Sequence, residues 1–220
     1  LNAFAGVLGA FLVLFILLIL FLLAGILLNG AFIDSAKNFF QKKKSSSLQS
    51  LGVASKKFFS LFFAAIIVAV MVLVVSMILS AFAALPLIGG VFSVLNVLAS
   101  ILLAVAFLFV PYQIMIGNKS AVESISSSAR LFQENALELL LLWILVIAFP
   151  LLIVLAAAVP IGFSIAVVVL APYSLASEAV FIASLCIFVA GVCLAQLVSI
   201  GTLASAFLQL TAKRAARKNR

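Results

Sequence analysis

The residues able to do chemistry in this chain are few and do not gather into a recognisable catalytic pattern. There is no histidine, and the only carboxylates are Asp34, Glu123, Glu134, Glu138 and Glu178. A metal centre would need His, Cys or clustered carboxylates. A nucleophilic serine would need a base beside it. The sequence presents neither pattern. Cys186 and Cys193 stand seven positions apart, about 10 Å along one helix axis, which is too far for a disulfide; they read as small apolar packing residues. The expectation is a protein that is not an enzyme and that holds no metal and no cofactor.

Coupled transport leaves an ionisable residue deep in a membrane span, and none is expected there. Glu138, in the first turn of the fourth apolar run, follows Glu134 and Arg130 at steps of four, a spacing that predicts an ion-paired ladder at the inner interface. Glu178 is the one charge expected on the outer side. The uncharged polar residues are better organised. Ser76 and Ser80 in one apolar run match Asn96 and Ser100 in the next, and Gln196, Ser199 and Thr202 lie in the last. Such residues serve helix packing, through close approach and interhelical hydrogen bonds, or they line a cavity opening outward that admits a lipid or small solute.

The positive charges carry more information. All thirteen Lys and Arg residues, for a net charge of +8, fall within 37–57, 119–130 and 213–220. Lys42, Lys43, Lys44, Lys56, Lys57, Arg130, Lys213 and Arg214 are the candidates for contact with anionic head groups, each worth about 1 kcal/mol near a charged membrane surface. Short basic runs also occur in nucleic-acid binders, but the apolar sequence around these makes lipid the partner and nucleic acid not one.

Holding these residues in place requires membrane spans. The chain is 68% hydrophobic and 8% charged, against about 45–50% and about 25% for soluble domains. Five helical crossings are expected, near 3–29, 59–84, 90–116, 137–158 and 176–210, since a lone segment in lipid must satisfy its own backbone. The first is read as a true span: it lacks a basic leading segment, and its apolar run exceeds the roughly 7–15 residues of a signal peptide. Keeping every cation inside sets the orientation, with the C-terminus cytoplasmic in a multi-pass protein of the cell membrane. Trp143 and Tyr112 fit an interfacial aromatic belt. Pro150, Pro160 and Pro172 interrupt the apolar stretch after span four, so 161–171 is either a short re-entrant piece or a continuation of span four beyond the bilayer. The last span, at about 50 Å against a core of about 30 Å, must tilt, bend or project. The fold class is all-α, a polytopic transmembrane helix bundle forming a single integral membrane domain over 1–220.

The first two basic segments are related. Residues 48–58 align with 122–132 at an offset of 74, placing Leu48, Leu51, Ser55 and Phe58 against Val122, Ile125, Ala129 and Phe132 as matching helical stripes. Each segment predicts an amphipathic helix on the cytoplasmic membrane surface leading into the next span. A repeated unit of span, surface helix and span suggests duplication. It also suggests a helix upstream of Leu1, for six spans in all, the alternative being a chain that simply begins outside with span one.

The run from Pro111 through Tyr112, Gly117, Asn118, Lys119 and Arg130 to Phe132 resembles the membrane domain of some glycerophosphodiester phosphodiesterases. It is also similar to related stand-alone polytopic families of unestablished function, including the YciC-like proteins. The resemblance implies a fold in which a proline ends one span and a serine-containing amphipathic helix introduces the next. No phosphodiesterase domain is present, so that activity does not carry over. The function expected is a structural or accessory membrane component that binds lipid and partner membrane subunits; the alternative is a permease, or a lipid or small-solute transporter, with an outward-opening cavity.

Overall fold

A computed structural model describes residues 2–43, 46–86, 88–170 and 175–218, and every regular element among them is an α-helix. In chain order these are α1 (Asn2–Phe40), α2 (Ser47–Lys56), α3 (Phe58–Ala83), α4 (Gly89–Ala106), α5 (Val110–Met115), α6 (Ala121–Glu134), α7 (Ala136–Leu170) and α8 (Leu175–Lys218). Five segments are long and apolar enough to cross a membrane: Leu12–Phe40, Phe58–Ala83, Gly89–Met115, Ala136–Val167 and Glu178–Lys213. The chain divides into two compact units, Leu1–Glu134 and Asn135–Arg220, and each is described by itself.

In the first unit α3 is apolar on every side, the pattern of a helix whose outer faces meet hydrocarbon rather than water. Gly89 is obligatory where α4 begins: a Cβ at that position would lie 2.3 Å from the Ala83 carbonyl oxygen at the end of α3. α1 continues to Phe40, well past the expected end near 29. Nothing between Asn29 and Phe40 is a proline, and the Asn38 amide donates to the Asp34 carboxylate one turn back at 3.0 Å. The helix stops at Lys42, in the left-handed region with φ 53°, where the Lys43 amide closes on the Asn38 carbonyl at 2.9 Å.

Span three is not one helix. It breaks at Phe107–Phe109, and Pro111 sits in the first turn of α5. Proline lacks an amide hydrogen and suits a helix start. Non-helical backbone is tolerated at membrane depth only where protein encloses it, and here it is enclosed: Phe109, Val110, Tyr112, Ile114 and Met115 are all buried. Tyr112 is therefore not an interfacial belt residue. It stands in the core, edge-on to Phe109 with ring centroids 5.8 Å apart, because the break turns α5 into the protein.

Apart from Gly89, the buried residues described in this unit gather at the end where α1 stops and α3 begins. Residues 12–29 of α1, 65–83 of α3 and 90–104 of α4 include none. α2 packs on α1, and α6 on α5, α3 and α4. Both short helices begin with a capping box: Ser46 with Gln49, and Ser120 with Glu123 at 3.2 and 3.4 Å. Each turns mostly small residues inward, Ser50 and Ala54 on α2 and Ser124 and Ser128, with Leu131, on α6, while Leu48 and Val122 of the expected apolar stripes are 81% and 68% exposed. The protein-facing side is thus the one that permits close approach.

The second unit is a helical hairpin of α7 and α8. α7 runs unbroken through Pro150 and Pro160, so residues 161–170 continue span four rather than re-enter. At 35 residues it measures about 52 Å, longer than a hydrocarbon core of about 30 Å. α8 stays helical to Lys218, where a plain basic tail was expected. The helices approach closely at Gly191, where a Cβ would fall 2.3 Å from that of Ala157.

Candidate functional site

The best-defined polar constellation lies at the basic end of the first unit. Lys57, in the junction between α2 and α3, donates from Nζ to the carbonyls of Ile114 and Met115, both at 3.0 Å, and to Asn118 Oδ1. These carbonyls end α5 without helical partners, so the ammonium acts as a side-chain cap. Asn118 holds φ 52°, a conformation Asn tolerates. Beside it Gly117 has no room for a side chain, since a Cβ would lie 2.7 Å from the Gln113 carbonyl oxygen. Burial lowers the Lys57 pKa, Lys37 lowers it further, and Asp34 opposes both. Asp34 is 6% exposed.

A second hydrogen bond secures the break in span three. Ser128 on α6 donates its hydroxyl to the Ala106 carbonyl at 2.7 Å. Both amphipathic segments thus send a side chain to the irregular backbone of the third span. Lys119 donates to Ser127 across the start of α6, and the capping hydrogen bonds from Ser120 hold the Glu123 carboxyl below its usual range, assisted by Lys119.

Next to this constellation lies a partly open cavity of about 340 Å³ between α1, α3 and the α4–α5 segment, within the range of about 300–1,000 Å³ typical of small-molecule sites. Ile26, Leu61, Ala65, Ala69 and Ile114 contribute to its apolar wall, and Asn29 is the one polar side chain among the lining residues. Asn29 is exposed. Its neighbour Gly30 lets α1 approach: a Cβ would sit 2.9 Å from Leu61 Cδ1 and 3.3 Å from Ala54 Cβ. None of these wall residues stood out in the sequence. The available signals were Asn29-Gly30 at the end of an apolar run and the pairing of Ala64-Ala65 with Ala69 one turn on.

The residues singled out from sequence are distributed differently. Asn96 Nδ2 donates to Ser80 Oγ at 3.3 Å, joining α4 to α3, whereas Ser100, Ser199 and Thr202 donate to carbonyls of their own helices at Asn96, Ala195 and Val198. Ser76 is half-buried on α3, and Gln196 and Glu178 are exposed on α8. None of the eight lines the larger cavity. Thr202 borders a smaller one of about 190 Å³ beside Pro150 in the hairpin. The expected ladder of Arg130, Glu134 and Glu138 does not form one helical row, because the helix breaks between Glu134 and Ala136. Glu138 instead accepts from Lys213 at 2.8 Å, tying the start of α7 to the end of α8.

Among the cations, Lys42, Lys43, Lys56 and Arg130 are exposed, Lys57 is half-buried in its cap, and Lys213 is exposed but paired. Lys44 and the side chain of Arg214 lie outside the described residues. Among the described residues no group of three or more His, Cys, Asp or Glu could hold a metal ion. No family model, no curated protein and no solved structure matches the chain.

Proposed function

We propose that this chain is a multi-pass component of the cell membrane, without catalytic activity of its own, that binds anionic lipid at a basic cytoplasmic end and serves a structural or accessory role beside partner membrane subunits. The observation that carries the proposal is the placement of cations in the first unit: exposed Lys42, Lys43 and Lys56 flank the junction between α1 and α3, the end to which the capped terminus of α5 is tied by Lys57. Juxtamembrane cations in such an arrangement attract anionic head groups. The acids support a structural reading, since Asp34 is bonded to Asn38, Glu123 closes a capping box and Glu138 pairs with Lys213. We place the chain near the glycerophosphodiesterase membrane domain and YciC-like families on residues 111–132 alone.

The test is the lipid retained by the purified protein in mild detergent, measured by native mass spectrometry. Phosphatidylglycerol should be retained over phosphatidylcholine, with a preference that falls as salt rises. Equal retention of the two would overturn the proposal. A second reading, a transporter with an outward-opening cavity, is supported by one atom: Asn96 Oδ1 is buried and has no hydrogen-bond partner among the described residues. If Asn96→Leu and Gln196→Leu abolish binding of a co-purifying solute in folded protein, transport is the better account; if they change only thermal stability, the accessory role is.

A further inference from the structure

We propose that the cavity between α1, α3 and α4–α5 is a specific site for one anionic phospholipid of the leaflet on the basic side, with an acyl chain in the cavity and the phosphate beside Lys37. The inference rests on the lipid-binding reading above and names its site and ligand class.

Depth is the first argument. On α3 the lining residues run from Leu61 to Ala69, about 6 to 18 Å along the axis from Lys57 at about 1.5 Å per residue. On α1 they run from Gly30 back to Ile26, about 10 to 16 Å from Lys37 by the same rise. One leaflet contributes about half of a 30 Å hydrocarbon core. The cavity therefore occupies the depth of acyl chains, and the two lysines occupy the depth of head groups.

Charge is the second argument. Lys37 is half-buried and close enough to Lys57 to act on its ionisation. The Lys57 ammonium already donates to three acceptors, whereas the Lys37 ammonium has no hydrogen-bond or ion-pair partner among the described residues, which leaves it as the cation of this pair able to donate to a ligand. The nearby Asp34 balances one of the two charges, so the knot retains an excess positive charge facing the head-group plane. An anionic phosphate complements it, whereas a zwitterionic head group brings its own cation. The wall is apolar apart from Asn29 at an exposed position, which suits a hydrocarbon chain and excludes a polar solute of comparable size.

The experiment titrates the detergent-solubilised full chain with dioleoyl-phosphatidylglycerol and counts bound lipids by native mass spectrometry, alongside the thermal shift the lipid produces. Wild type should hold one phosphatidylglycerol that outlasts the rest during collisional activation. Ala65→Phe and Ala69→Phe, which fill the cavity, should each lower the affinity of that lipid at least tenfold and remove its thermal shift. Lys37→Gln should keep the tight site while losing the preference for phosphatidylglycerol over dioleoyl-phosphatidylcholine. Excess inorganic phosphate should not displace the lipid; displacement would mean that a free anion site, not a lipid site, has been observed, and would overturn the proposal. It is equally overturned if both Phe variants, shown to be folded by unchanged far-UV circular dichroism, bind the single lipid as wild type does. The weak, salt-sensitive lipids held by Lys42, Lys43 and Lys56 report separately on the general reading, which survives if they persist while the cavity variants have no effect.

Discussion

Adding one methyl group at Gly191 should wedge α7 and α8 apart. The new Cβ would lie 2.3 Å from Ala157 Cβ, whereas ordinary van der Waals contact begins at 3.4 Å. Alanine has no torsion by which to yield, so the backbones must separate by about 1 Å, a gap that forfeits about a quarter to a half of the dispersion energy of each contact it opens. Overpacking of this kind costs about 1–3 kcal/mol. Alanine also favours a helix by about 1 kcal/mol over glycine, so Gly191→Ala alone should show a net loss of roughly 0–2 kcal/mol once that gain is set against the overpacking. The informative measurement is a double-mutant cycle with Ala157→Gly. In Gly191→Ala/Ala157→Gly the methyl group only changes sides and the helix propensities cancel, so the interaction energy should be about 1–3 kcal/mol in favour of the pair. Unfolding of the full chain in mixed micelles, titrated with a denaturing detergent and followed by circular dichroism, gives the four stabilities. The reasoning is refuted if Gly191→Ala gains the full propensity term and Ala157→Gly has the same effect in both backgrounds.

The capped break in span three makes two further claims. Lys57→Met should destabilise the first unit by about 1.5–3 kcal/mol, the range for hydrogen bonds to a charged group, whereas Lys56→Met on the exposed face should shift the same unfolding curve very little. Ser128→Ala should cost about 1–2 kcal/mol because it leaves the Ala106 carbonyl unpaired, with faster hydrogen exchange confined to residues near the break. The Glu123 carboxyl titrates below its unfolded value, so its stabilisation is complete above the ordinary carboxylate range and is lost as pH falls through the lowered folded value; acid titration of thermal stability should show this component in wild type and not in Glu123→Gln. Lys42 occupies a left-handed conformation that disfavours side chains by about 1–2 kcal/mol, and Lys42→Gly should raise the unfolding midpoint even as it removes an exposed cation.

The spans were legible because hydropathy over about 20 residues needs no partner to interpret. The starts of α2 and α6 were legible for a related reason: a stripe and its offset copy are local patterns. Which face of those helices turns inward was not. In water the apolar stripe marks the buried side, but at a membrane surface lipid can take part of that stripe, and the inward face is built mostly from the small residues Ser50, Ala54, Ser124 and Ser128, with Leu131 beside them. The spacing of Arg130, Glu134 and Glu138 misled because it assumed one continuous helix, and a break near Asn135 re-aimed Glu138 toward a lysine 75 positions away. The cavity depends on three segments distant in sequence, with Gly30 permitting an approach that no local pattern announces. Pro111 was read as the end of a span, and its larger effect, starting α5 and Tyr112 within the core, follows only once Ser128 is seen to take the Ala106 carbonyl at the break and Lys57 the carbonyls that end α5.

The uneven burial of the first unit has a mechanical meaning. Its stiff part is a plate at the basic end, where Lys57 and Ser128 lock the third span; beyond it α3 and α4 stand as one leg, joined by the Asn96–Ser80 hydrogen bond and the Phe82–Phe92 stack, and α1 stands as another. A change in membrane thickness, which costs fractions of a kcal/mol per Å of mismatch, should therefore be absorbed by the legs tilting while the plate keeps its packing. The cavity begins where plate gives way to legs. Whatever fills it acts as a shim, and its size sets how far the legs can spread.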